Sequence, residues 1–337
     1  MSPIRAAFVS GVKRVVSAPA LLAGVFLVTL LMALPLALTL RGMLEDHLGS
    51  SLAAAEAADG VNYDWWQEFA SQAAGIGTTF SPSIIGFAAV LDNVGSVMDG
   101  RGEIAPIAGA LGAYLLVWTF LLGGIIDRYA RQRPTRSHGF FAASGVFFMR
   151  FLRLAVVAGA AYWFLFAYVH HWMFDTWLRA ATRDLAVERT AFLWRVLMYA
   201  AFGSLLILLN VLFDYAKVRA VVEDRRSMIG ALFASARFIR RNPAHAFGLY
   251  AANAIAFLLV LAVWALAAPG AGGDGFSMWL GLAAGQAYIA ARLAAKLLVV
   301  ASETALFQGS LAHAAFTAQP ELSWPESPSA EVITPAS

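Results

Sequence analysis

Cysteine is absent from the 337 residues of the chain, and charged residues are scarce. The lack of cysteine excludes disulfides, thiolate metal sites and cysteine nucleophiles. Only 13% of the residues are charged, whereas roughly 25% is typical of a soluble domain. Because 60% of the residues are hydrophobic, a water-soluble fold could not bury them all. Lipid must therefore solvate much of the chain.

Catalytic motifs are also missing. The sequence contains no phosphate-binding glycine loop, no HExxH helix and no GxSxG elbow. His170, His171 and Asp175 lie close together in the sequence, but a metal ion needs further ligands. No spaced His, Asp or Glu motif supplies them. We therefore expect a non-enzymatic protein without a metal or another cofactor.

Long apolar segments are what the sequence does contain. A spanning helix needs roughly 20 predominantly apolar residues, and six segments meet or nearly meet this length. The uncharged run 15–40 is longer than the apolar part of a signal peptide, roughly 7–15 residues, so we interpret it as a retained first span. The predicted fold is an all-α polytopic transmembrane domain over residues 1–316, with spans at about 18–40, 104–126, 154–174, 196–215, 246–269 and 276–300.

The distribution of lysine and arginine predicts the orientation. No lysine or arginine occurs between Gly42 and Gly100, where eight acidic residues lie. The N-terminal segment and the loops near 127–153 and 216–244 together hold 16 of the 24 basic residues. The positive-inside rule therefore places these segments and both termini in the cytoplasm, and the loop 42–103 outside.

Two segments outside the spans have their own character. Residues 81–91 are apolar but too short to span, so we expect an interfacial or re-entrant segment there. The tail 317–337 is rich in Pro, Ser and Glu and should be disordered in the cytoplasm.

Tryptophans near predicted span ends, such as Trp118, are predicted to lie in the interfacial aromatic belt.

A weak internal repeat precedes alternate spans. Its copies are Phe8-Val-Ser10-Gly11, Phe141-Ala-Ala-Ser144-Gly145 and Phe233-Ala-Ser235, each followed by basic residues. The repeat predicts three helical hairpins, each preceded by a basic amphipathic helix in the headgroup plane. The alternative is that basic helices are common at the cytoplasmic span entries of any polytopic protein. In the third copy, the apolar face predicted to enter the membrane comprises Ile229, Leu232, Phe233, Ala236 and Ile239.

Polar residues within the last three spans are candidate functional residues. Each ionisable residue inside a bilayer costs roughly 2.5–3.5 kcal/mol on insertion scales. Arg292 and Lys296 are one turn apart on one face of span six, and we expect Asp214 or Glu303 to neutralise one of them. Such a cluster indicates a substrate, ion or lipid-headgroup site. The alternative is that the two cations extend to the headgroups or fix helices together. The candidate cluster comprises Asn210, Asp214, Asn253, Gln286, Arg292, Lys296 and Glu303.

The fourth connection is strongly basic, and its arginines are candidate contacts for anionic lipid headgroups. Nucleic acid is a poor alternative partner, because the same residues already account for the membrane orientation. The candidate lipid contacts are Arg225, Arg226, Arg237, Arg240 and Arg241.

This same region carries a resemblance. The stretches Asp214-Tyr-Ala-Lys-Val-Arg-Ala-Val-Val-Glu-Asp-Arg-Arg-Ser227 and Arg237-Phe-Ile-Arg-Arg-Asn-Pro243 resemble uncharacterised bacterial six-helix membrane proteins. More distantly, they resemble the membrane domain attached to some glycerophosphodiester phosphodiesterases. The resemblance implies a six-span protein of the bacterial inner membrane. It does not imply hydrolysis, because the chain has no phosphodiesterase domain.

Two hypotheses about function follow. The first is an accessory or membrane-organising subunit that binds anionic lipid and a membrane-protein partner. The second is a transporter or lipid-handling permease that uses the polar cluster. The second hypothesis requires the cluster to converge on a cavity at membrane depth.

Overall fold

The structure is a computed structural model that describes residues 2–49, 51–59, 62–80, 94–101, 105–268 and 275–318. Every regular element within these residues is helical. Short elements follow α2 in the chain, including a 3-10 turn at Gly75–Thr79. The helices are α1 (Pro3–Val16), α2 (Pro19–Leu48), α3 (Ala54–Asp59), α4 (Tyr63–Gln72), α5 (Ala105–Arg131), α6 (Ser137–Thr182), α7 (Glu188–Val222), α8 (Met228–Arg241), α9 (Pro243–Ala267) and α10 (Gly275–Ala318).

Five of the described helices are long and apolar enough to cross a membrane: α2, α5 from Ile107 onward, α6, α7 and α9. The prediction of an all-α chain with several membrane-spanning helices is therefore confirmed, whereas the arrangement of six spans in three hairpins is not. The sixth predicted span, 276–300, lies within the 44-residue helix α10. That helix is not among the five, and its sequence contains Gln286, Arg292 and Lys296.

Helix α10 is nevertheless the centre of the bundle, because it packs against α1, α2, α5, α7 and α9. Leu297 and Ala301 are fully buried along it. Its contact with α1 is very close at Gly11, where an added Cβ would lie 2.7 Å from the Cβ of Ser302. A glycine at this position lets two helix backbones approach, as small residues do between membrane helices.

The three repeat copies pack in a related way but differ in continuity. Helix α1 packs on α10, the start of α6 on the end of α5, and α8 on the end of α7. Pro19 and Pro243 begin new helices after α1 and α8, because proline cannot continue a helix. The second copy has no such proline and runs directly into α6. The predicted separate amphipathic helix is therefore wrong for the second copy.

The face with which helix α8 packs on the bundle differs from the apolar face predicted from the sequence. Its buried residues are Met228, Ala231, Ser235 and Ile239, which contact the bundle. Of the predicted apolar face, Ile239 is buried, whereas Ile229 is 61% and Phe233 70% exposed.

The acidic and basic segments lie at opposite ends of the bundle. At one end, the Tyr199 hydroxyl donates to Asp99 at 2.6 Å. At the other, Arg150 donates to Asp224 at 2.6 Å. Tyr199 and Asp224 are separated by the C-terminal part of α7 and its cap, which corresponds to about 37 Å at 1.5 Å per residue. The described part of the acidic loop is thus far from the basic connection.

Some predictions concern other parts of the chain. The predicted interfacial segment 81–91 and residues 319–337 of the predicted tail lie outside the described residues. Residues 317 and 318 still belong to α10, so the helix extends beyond the predicted start of the tail.

Candidate functional site

A cavity of about 790 Å³ lies between α2, α5, α7, α9 and α10. Most of its walls are apolar, including Leu122, Ile126 and Phe257. Five of the seven residues of the predicted polar cluster line it, and Lys217 of α7 joins them. The charged and amide side chains of the lining are those of Asp214, Lys217, Asn253, Arg292, Lys296 and Glu303.

Lys296 extends into this cavity against aromatic rings. Its ammonium lies 3.6 Å from the centroid of the Trp118 ring and 5.1 Å from that of Tyr114. Its Nζ also lies 3.4 Å from the Tyr114 hydroxyl oxygen. Trp118 is at the middle of α5 (Ala105–Arg131), so Lys296 lies at mid-helix depth. The predicted interfacial position of Trp118 is therefore wrong: its ring lines the cavity.

Arg292 lies one turn from Lys296 on the same face of α10. Its guanidinium is 5.5 Å from the centroid of the Tyr288 ring. Within the described residues, neither Arg292 nor Lys296 forms an ion pair. The cavity therefore holds two cations that contact aromatic rings and form no ion pair with a described carboxylate.

The expected pairing of these cations with Asp214 or Glu303 is wrong. The Asp214 carboxylate instead accepts from Lys217 of its own helix, at 2.5 Å. Glu303 is only 2% exposed and has no hydrogen bond or ion pair to any other described residue. An i, i+3 partner was available to Asp214 on α7, and the rotation of α10 about its axis cannot be inferred from residue order.

The two asparagines of the cluster form hydrogen bonds to neighbouring helices. The Asn253 amide donates to the Ser302 hydroxyl at 2.9 Å, which links α9 to α10. Asn210 accepts from the Tyr162 hydroxyl at 2.5 Å and does not line the cavity. Gln286 does not line it either. Both asparagines therefore connect helices, and Asn253 also contributes to the cavity wall.

Sequence reasoning did not select Tyr114, Trp118 or Tyr250 as functional residues, yet all three line the cavity. Tyr114 and Trp118 are four residues apart on α5, and their rings stack at 6.4 Å. An aromatic pair at i, i+4 on one helix face was a signal that the sequence offered. An aromatic residue is equally expected to face lipid in such a helix, so the signal was ambiguous.

A second concavity, of about 1170 Å³, lies at the basic end between α1, α8 and the last part of α10. We call it the basic groove. Arg219, Arg225, Arg237, Arg241 and His245 line it. Three of the five candidate lipid contacts therefore belong to the groove, whereas Arg226 and Arg240 do not line it.

Part of the basic charge in the groove is already neutralised. Arg219 donates to Glu223 at 2.7 Å and to the Ala234 carbonyl at 2.6 Å, and Arg225 also donates to Glu223. Burial by itself would raise the pKa of Glu223, but the hydrogen bonds from Arg219 and Arg225 outweigh it and hold this pKa below its ordinary value. The cations left without an ion pair among the described groove residues are Arg237 and Arg241.

No group of three or more metal-ligating side chains lies among the described residues. His171 is 2.7 Å from Asp175, and His170 contacts the Met98 carbonyl.

No protein-family model, curated protein or solved structure matches the chain.

Proposed function

We propose that the protein is a six-span transporter or lipid-handling permease of the bacterial inner membrane, with an anionic ligand bound in the cavity. The observation that carries the proposal is the position of Arg292 and Lys296. Both cations line a cavity at mid-helix depth and lack a carboxylate partner among the described residues. Because ionisable residues at this depth are costly, a bound anion would offset an otherwise unfavourable arrangement.

The course of α10 supports a sixth span. Trp264 of α9 stacks on Tyr288 of α10 at 4.5 Å, and Asn253 bonds to Ser302 about three to four turns further along the pair. Descending numbers in α9 thus meet ascending numbers in α10, so the two helices run antiparallel. With five apolar helices before it, α10 returns the chain to the basic end, and both described ends of the chain are proposed to be cytoplasmic.

The anion would come from one of two sources that share their chemistry. One is a lipid headgroup with a phosphodiester, and the other is a soluble oxyanion. The mostly apolar walls of the cavity favour the lipid, since they would accommodate acyl chains. The Asp214–Lys217 pair is neutral overall, so it leaves the two free cations to set the preference for negative charge.

Binding measurements on the full chain in nanodiscs of phosphatidylcholine test this proposal. The probes are dioctanoyl-phosphatidylglycerol for the lipid source and sulfate for the soluble source, with dioctanoyl-phosphatidylcholine as the neutral comparison. We expect saturable binding of one anionic probe, weakened at least tenfold in R292Q/K296Q. The matched control R226Q/R240Q removes two cations that line neither concavity and should bind as the unmodified protein does. Equal binding by both double variants would overturn the proposal.

The basic groove supports a second candidate, the accessory subunit that binds anionic lipid. Arg237 and Arg241 lie on α8 beside the exposed side chains of Ile229 and Phe233. A helix with basic and exposed apolar side chains is suited to the headgroup region. Spin-labelled phosphatidylglycerol should show a smaller immobilised fraction around R237Q/R241Q than around R226Q/R240Q. A partner recovered by crosslinking would add the predicted membrane-protein contact.

A further inference from the structure

We propose that the Glu303 carboxyl is a proton-carrying group, and that proton binding there is coupled to anion binding in the cavity. The inference rests on the proposed ligand cavity. Glu303 lines the same cavity as Arg292 and Lys296. Unlike Asp214 and Asn253, which also line it, Glu303 has no hydrogen bond or ion pair to another described residue.

The surroundings of Glu303 disfavour an ionised carboxylate. It is 2% exposed and is flanked on α10 by the fully buried Ser302 and Thr304. Both hydroxyls already donate elsewhere, Thr304 to the Val300 carbonyl at 2.7 Å and Ser302 to the Val299 carbonyl at 3.1 Å. A buried charge without a counter-ion or hydrogen bonds is strongly unfavourable, and the group takes up a proton instead.

The groups that face Glu303 do not supply a counter-ion. From α7, Asp214 and Lys217 act on it electrostatically, but they are paired with each other at 2.5 Å. Tyr215 of α7 and Tyr250 of α9 also face it, and the Tyr215 hydroxyl is buried without a partner. From α1, Gly11 packs on the neighbouring Ser302 and brings no charge.

Coupling follows from the shared cavity. Glu303 is seven residues from Lys296, about 10 Å along the helix axis. A negative charge bound at Lys296 would make ionisation of Glu303 more costly, and a proton on Glu303 would make anion binding more favourable. Such linkage is reciprocal. At this separation and an effective dielectric constant of about 20, it corresponds to roughly a tenfold change in affinity.

The test is the pH dependence of probe binding to the full chain in nanodiscs. Dioctanoyl-phosphatidylglycerol and sulfate keep a constant charge over the titration, so a change in affinity reports on the protein. We expect affinity to fall about tenfold as pH rises in the unmodified protein, with protons taken up on binding. In E303Q, which imitates the protonated acid, affinity should stay high and lose this pH dependence. In D127N, which changes an acid outside the cavity, the dependence should remain.

A second measurement keeps the proposal testable if E303Q folds poorly. Infrared difference spectra of the unmodified protein should show a protonated carboxyl band that D127N retains and that shifts when the probe binds. The coupling is overturned if E303Q binds the probe with the same pH dependence as the unmodified protein, or if the unmodified protein takes up no proton on binding. Either result would leave the proposed ligand cavity standing.

The proposed function itself is overturned if the unmodified protein shows no saturable binding, or if R292Q/K296Q does not weaken the binding.

Discussion

The ammonium of Lys296 lies 3.6 Å from the centroid of the Trp118 ring, in the middle of the bundle. The contact joins the central helix α10 to α5 and stabilises a cation where no described carboxylate pairs with it. A desolvated cation over an indole ring gains about 2 kcal/mol. The aromatic wall of the cavity therefore stabilises this charge.

Replacing Trp118 tests this relationship. We expect W118L to lower the free energy of unfolding by about 2 kcal/mol or more through the lost ring contact, and W118F to lower it less because phenylalanine keeps a π face. The measurement is denaturant unfolding in detergent. W279L removes a tryptophan that is 61% exposed and is the matched control. In a double-mutant cycle with K296M, the cost of W118L should shrink; an unchanged cost would contradict the role of the ring.

The adjacent basic residues Lys13 and Arg14 should differ sharply in their effect on stability. Arg14 is buried and donates to the Tyr129 carbonyl at 3.0 Å, which links α1 to α5. Burial lowers its pKa, but an arginine stays protonated in proteins. Lys13 is exposed. We expect R14A to cost roughly 1–3 kcal/mol and K13A less than about 0.5 kcal/mol.

Thermal unfolding of both variants in the same detergent gives the comparison. The two substitutions remove equal charge from the same helix, so any general effect on membrane orientation is shared. Equal loss in R14A and K13A would show that the link to Tyr129 contributes nothing.

The Arg150–Asp224 pair should make stability depend on acidic pH. The hydrogen bond from Arg150, together with its charge, holds the pKa of Asp224 below its ordinary value. Because the folded pKa lies below the unfolded one, the stabilisation is complete above the unfolded pKa, about 3.9. It is lost as pH falls through the folded pKa. The unmodified protein should therefore lose stability more steeply than D224N on acidification below about pH 4.

Asparagine is the appropriate replacement, because Asp224 has a φ of 47° and asparagine tolerates this left-handed conformation. Thermal unfolding over a pH series measures the difference. D184N, at an exposed position away from this pair, should follow the unmodified protein. Parallel curves for D224N and the unmodified protein would exclude a contribution from the pair.

The absence of cysteine makes the orientation directly testable. Leu52 is fully exposed at the acidic end, and Arg226 is exposed at the basic end. In intact bacterial cells, we expect L52C to react with a membrane-impermeant maleimide and R226C to react only after permeabilisation. Labelling of both positions from outside would contradict the positive-inside assignment.

Several features could be predicted from residues alone. The helical class and five of the six span positions follow from long apolar segments, and the separation of acidic from basic segments follows from their positions in the chain. The position of five polar residues in one cavity could also be predicted, because intramembrane polar residues tend to face the bundle interior. These residues are Asp214, Asn253, Arg292, Lys296 and Glu303. The hydrogen-bond and ion-pair partners of each residue could not be predicted.

Helix α8 shows why the contacts between helices could not be predicted from the sequence. Its apolar residues fall on more than one side, and the sequence did not distinguish the stripe that packs on α7 from the one that leaves Ile229 and Phe233 exposed. In a soluble helix the buried face is the apolar one. In a membrane protein lipid is as apolar as a protein core, so hydrophobicity does not identify the packing face.

Composition and residue order were enough to infer that lipid solvates much of this chain and that its basic segments lie at one end, because both depend only on which residues occur and where. Only the packing of the helices establishes that α10 is central, that Lys296 lies on the Trp118 ring and that Glu303 has no hydrogen bond or ion pair to another described residue. Those outcomes depend on the rotation and crossing of helices, which close packing at small residues such as Gly11 and Ser302 sets.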